Sequence, residues 1–166
     1  MYHPADPCLS GYGPEDLEYV ELRNTGDQAL SLDGVKFSAG IEFAFPAVTL
    51  QPGAFAIVAR DTTAFAAWAA VPPHVLVLGP YTGRLSNGSE RVKLDDETNS
   101  TILEFEYDDD WFGITDGRGF SLTVKDPVVI GPGSFGRKSA WRPSAYFGGS
   151  PGYDDTGELP ELGAVV

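Results

Sequence analysis

Residues 81–94, YTGRLSNGSERVKL, hold the clearest local grammar in the chain. The pair Asn87-Gly88 tolerates the positive φ of a tight turn, and the run Glu90-Arg91-Val92-Lys93-Leu94 alternates polar and apolar residues. Together they predict a β-hairpin with Val92 and Leu94 facing a core and Arg91 and Lys93 facing solvent. The role of Asn87-Gly88-Ser89 is then conformational rather than chemical.

The same period of two recurs on either side. In 17–24, LEYVELRN, Val20 and Leu22 alternate with Glu21 and Arg23, a half-buried strand that ends at the turn 24–27. Leu30 and Leu32, then Val35 and Phe37, then Ile41, Phe43 and Phe45 continue the pattern. Residues 55–59, FAIVA, read as a buried strand, 75–78 as a short apolar one, 101–107, TILEFEY, as alternating, and Phe120, Leu122 and Val124 as one more. Only 61–70, DTTAFAAWAA, reads as a helix, capped by Asp61 or Thr62 and ended by Pro72-Pro73. About eight short strands at this spacing predict an all-β sandwich with one short helix in a crossover. Trp141 and Tyr146 are expected to pin the returning chain. Residues 1–153 form one domain on this reading, and 154–166 an acidic tail or linker.

Composition narrows the function classes. A chain of 166 residues with 42% apolar content can build one core, and 20 Gly and 13 Pro without a repeat suit many short elements joined by turns. The formal charge of −13, with 11 scattered basic residues, argues against nucleic acid and against an anionic membrane surface. It favours cations instead. Cys8 is the only cysteine, so no internal disulfide or cysteine zinc site is expected. The first residues lack the pattern of a signal peptide, and no apolar run approaches the roughly 18–20 residues of a membrane span.

Several fragments, in order, resemble the lamin tail domain in its bacterial form. They are MYHP (1–4), EYVELRNTGDQALSLDGVKFSAGIEFAFP (18–46), LQPGAFAIVA (50–59), GRLSNGSERVKLDD (83–96), YDDDW (107–111), DGRGFSLTVKDP (116–127) and SAWRPSAYFGGSPG (139–152). The resemblance implies an immunoglobulin-like sandwich and a non-catalytic module that mediates protein interaction. It also implies a place in a larger, exported or cell-surface bacterial protein, beside other domains that are themselves candidate partners. In the family a strand commonly precedes the MYHP-like piece. Its absence here would leave a sheet edge open to a homodimer.

The residues that invite chemistry are acidic. Asp108, Asp109 and Asp110, with Asp116 six residues on, make a candidate calcium site, since hard cations take clustered carboxylate oxygens. The spacing does not fit the helix-loop-helix calcium template: Phe112 and Gly119 fall where oxygen ligands belong. Trp111 and Phe112 beside that loop are the candidate partner-binding aromatics. With calcium they form an alternative reading, a calcium-dependent carbohydrate- or cell-surface-binding domain. No other cofactor is expected. Residues 131–136, GPGSFG, satisfy the letters of a dinucleotide loop, but no helical pattern follows them. His3 and His74 are the only histidines, which leaves little room for histidine-based catalysis, and abundant surface carboxylates do not make a glycosidase pair. No catalytic residues are assigned.

Overall fold

A computed structural model describes residues 1–157 of the chain. After a short 3₁₀ turn, Pro14–Leu17, the strands β1 (Tyr19–Arg23), β2 (Leu30–Ser31), β3 (Lys36–Ala39), β4 (Ile41–Ala44), β5 (Thr49–Leu50) and β6 (Phe55–Ala59) follow. The helix α1 (Thr62–Trp68) comes next. The remaining strands are β7 (Leu76–Leu78), β8 (Thr82–Gly83), β9 (Glu90–Asp95), β10 (Thr101–Tyr107), β11 (Leu122–Val124) and β12 (Trp141–Pro143). A five-stranded sheet has the order β10-β9-β3-β4-β8, and a three-stranded sheet the order β1-β6-β7. β2 pairs with β5 and β11 with β12.

Alternation sets which faces meet. Leu94 stands opposite both Leu103 and Phe37, and Val92 opposite Phe105, so one face of the larger sheet is apolar. That face shares a core with Val20, Leu22, Ala56, Val58, Leu76 and Leu78 of the smaller sheet. The other face of the smaller sheet carries Tyr19, Ile57 and Ala59, which pack with Phe65 and Trp68 of α1 and with Val75 and Val77. β6 is therefore covered on both sides, which is why its sequence is apolar without alternation. α1 connects β6 to the parallel strand β7, the crossover expected from the sequence. Asp61 caps it, its carboxylate accepting the amides of Thr63 and Ala64.

Residues 81–94 do not fold as the expected hairpin. β8 pairs with β4, while β9 pairs with β10 and β3, so the segment crosses from one side of the larger sheet to another. The cause lies outside the segment. Tyr81 and Leu85 are buried, and the Tyr81 hydroxyl and Leu85 amide both donate to the Glu18 carboxylate at 2.8 Å. The turn itself survives as a loop, with the Ser86 amide on Glu90 and the Gly88 amide on the Ser86 hydroxyl. β9 faces as expected, with Val92 and Leu94 buried and Arg91 exposed. The hairpin is instead β9 with β10, joined through Asn99 at φ 65°.

β11 and β12 are joined by a loop whose tip exposes Val128 (71%) and Val129 (78%). Residues 132–134 form a 3₁₀ turn, and only a second short 3₁₀ turn, Lys138–Ala140, follows before β12, in keeping with the rejection of GPGSFG as a nucleotide loop. Trp141 is buried, its Nε1 donating to the Phe135 carbonyl and its ring lying against Phe105 and Phe135. Of the expected tail, residues 154–157 are held against the domain by Asp154 and Asp155, and 158–166 lie outside the described residues. Among the described residues no helix is long and apolar enough to cross a membrane.

Candidate interaction site

The acidic loop is the first place to look, and its aspartates have local tasks. Asp108 caps a short 3₁₀ turn, Asp109–Trp111, by accepting the Asp110 amide. Asp116 bonds to His3 Nδ1 across the domain. Asp109 is half-buried and Asp110 exposed. Among the described residues no group of three or more His, Cys, Asp or Glu side chains is placed to hold a metal ion. Of the four aspartates expected to gather around calcium, Asp108 thus faces a backbone amide and Asp116 faces His3. Trp111 is half-buried, its ring 6.5 Å from that of Trp141, and Phe112 lies beneath the Lys138 ammonium at 4.9 Å. Both aromatics are occupied by neighbours within the domain.

Exposed aromatic surface is found elsewhere. A groove of about 570 Å³ runs between the end of α1 and residues 146–154. Trp68 forms the helix wall. Tyr146 (46% exposed), Phe147 (65%) and Tyr153 (54%) stand on the other. Tyr146, expected to pin the returning chain, is part of this surface.

The backbone that carries these rings is clasped at several points. The Gly148 amide donates to the Gly119 carbonyl and the Tyr153 amide to the Ser150 carbonyl. The Gly152 amide donates to the Glu21 carboxylate at 2.6 Å, and Arg23 holds Asp154 through both of its terminal nitrogens. Asp155 accepts from the Ala145 amide, the Ser150 hydroxyl, the Gly157 amide and Arg142. Gly149, at φ +80°, presses so close to the Tyr19 hydroxyl and Ser121 that no side chain fits there. Residues 144–157 therefore form a fixed ledge.

Two carboxylates on this ledge are electrostatically distinctive. Burial pushes the Glu21 carboxyl up to about 7, with the Gly152 amide and the Met1 ammonium opposing that rise. Burial acts on Asp155 in the same sense, but its hydrogen bonds from Ser150, Ala145, Gly157 and Arg142 prevail and hold it below the ordinary value.

Residues 148–152, GGSPG, satisfy the letters of the nucleophile elbow G-x-S-x-G, a match the histidine argument alone does not address. Ser150 does not sit between a strand and a helix, and its hydroxyl donates to Asp155 at 2.7 Å. It secures the ledge. What the groove offers chemically is aromatic area on a rigid support, which is a means of binding.

Two facing sheets with one helix in a crossover, none closed into a barrel, make this an immunoglobulin-like β-sandwich. The family model of the Lamin Tail Domain matches residues 5–109, more than half of the chain. The chain belongs to the lamin tail domain family. No curated protein matches it significantly. Trp68 lies within the matched region, whereas Tyr146, Phe147 and Tyr153 lie beyond it.

Proposed function

We propose that the chain is a non-catalytic protein-interaction module of a larger exported protein, and that it holds its partner in the groove between α1 and residues 146–154. The observation that carries this reading is the exposure of Tyr146, Phe147 and Tyr153 together on a backbone fixed by Glu21, Arg23 and Arg142. Clustered exposed aromatics on a preorganised support are the usual anchors of protein recognition, because they bury large area at small entropic cost. Membership in a family of immunoglobulin-like domains supports the same reading.

The test uses the full-length protein with a photo-crosslinking residue in place of Tyr146, and the same residue in place of Glu104 on the outer face of the larger sheet as control. A discrete crosslink from position 146 to another protein or to a neighbouring domain, lost with Phe147→Asp, supports the reading. Equal crosslinking from position 104, or none from 146, removes it.

A further inference from the structure

Resting on that reading, we infer that the occupant of the groove is an extended, proline-rich segment flanked by Lys or Arg. Three features select it. The first is the kind of surface on offer. Neither wall is a strand: one is the end of α1 and the other the irregular ledge, so the groove has no strand ladder for a β-partner to join. A polyproline II segment needs no such ladder. It makes no internal hydrogen bonds, loses little entropy on docking, and lays its rings against aromatic side chains. Trp68 on one wall and Tyr146, Phe147 and Tyr153 on the other provide those faces.

The second feature is charge. No Lys or Arg lines the groove, and its one charged lining residue is Asp154. Asp154 is already paired with Arg23, so the local pull on a cation is modest. The chain around it carries a net charge of −13, which favours a basic partner at longer range. Flanking Lys or Arg residues therefore assist the proline core rather than replace it.

The third feature separates a peptide from a sugar. A sugar ring can also stack on tyrosine and tryptophan, but its hydroxyls need an array of polar side chains around the stacking face. Apart from the donors carried by the rings themselves, the two tyrosine hydroxyls and the Trp68 indole N–H, the lining offers only the side chains of Ser150 and Asp154, which are engaged by Asp155 and Arg23 respectively. The groove is thus poor in free polar side chains and rich in rings.

The experiment is an amide-resonance titration of the full 166-residue chain with two synthetic peptides, KPPPPPPK and KGAGAGAK, and with cellohexaose and chitohexaose. The inference expects the proline peptide to shift resonances at Trp68 and along 146–154, and to bind at least about tenfold more tightly than the Gly/Ala peptide. Phe147→Ala and, separately, Tyr153→Ala should each weaken it about tenfold. Tyr153→Ala should leave the melting temperature unchanged, since its ring is more than half exposed, while Phe147→Ala, which also loses an edge contact with Phe120, should lower it by no more than about 4 °C. Exchanging the flanking Lys for Glu should weaken it further. Equal binding of the two peptides, tighter binding of either oligosaccharide, indifference to both aromatic substitutions, or no binding of the proline peptide at millimolar concentration each overturns the inference. If the peptides fail while the crosslink from position 146 persists, the groove is an interaction site with a different occupant. If both fail, the proposed function falls with it.

Discussion

Glu18 is only 2% exposed, yet its carboxylate accepts from the Tyr81 hydroxyl and the Leu85 amide and lies 3.6 Å from Arg60. Burial raises its carboxyl, and those partners oppose the rise. Glu18→Ala would leave two buried donors without an acceptor, a loss of about 3 kcal/mol, or roughly 6–12 °C in Tm. Glu18→Gln keeps an acceptor and should lose less than half of that. Thermal melting of both variants checks the order, and an unchanged Glu18→Ala would show that the loop 81–85 is held by packing alone. Glu21 has the opposite interest, because its effect depends on pH. With its carboxyl moved from 4.5 to about 7, the native chain holds a proton that the unfolded chain releases across that window. Its contribution is complete below pH 4.5 and is lost as pH rises through about 7. The Met1 ammonium, pushed down to about 5 by burial, titrates in an overlapping window with the opposite sign, so the comparison must be differential. Relative to the parent, Glu21→Gln should gain about 2 kcal/mol as pH rises from about 5 to 8. Denaturant melts of both chains at the two pH values measure this, and parallel profiles would contradict it.

At the scale of elements, Gly149 tests how far the ledge is rigid. An ideal Cβ at this position would come within 2.9 Å of the Ser121 hydroxyl and closer still to that of Tyr19, on a backbone already at φ +80°. Gly149→Ala should therefore cost about 2 kcal/mol. It should also weaken proline-peptide binding through displacement of Tyr146 and Phe147. Gly131→Ala, with open space around it and φ −75°, should be close to neutral. Melting curves and peptide titrations of the pair check both statements. The elements also mark where sequence reading stops. β1, β9 and β10 were legible from alternation, β6 from its apolar run and α1 from its Asp61 cap. Pairing was not, because Asn87-Gly88 specifies a turn and says nothing of the strand beyond it. Buried Tyr81 and Leu85, held by Glu18 more than sixty residues earlier, decided that β8 joins β4. The groove was hidden for a related reason. Tyr146 reads in sequence only as an anchor of the returning chain, and Trp68 meets that segment only through the fold.

For the whole molecule, the family match ends at residue 109, but the structure does not. Trp141 covers Phe105, Leu122 packs on the main core, and residues 148–155 cover Tyr19 and Glu21. A fragment limited to 1–109 would uncover both sheets, and its Tm should fall by about 10 °C or more, or its cooperative melt should vanish. Calorimetry of the fragment decides the matter, and a sharp, unshifted transition would make everything after residue 109 an accessory.

The exposed pair Val128–Val129 carries a last implication. Elastase, which cuts beside small apolar residues, should cleave this tip first. The two products should nevertheless remain together, since β11 pairs with β12 across the cut and Arg23 reaches Asp154 from the other piece. Size exclusion after limited digestion should show one peak of parental size, and denaturing gels two bands. A chain that survives a break there could be supplied as two separate polypeptides, giving a route to a split reporter whose halves find each other only when co-expressed.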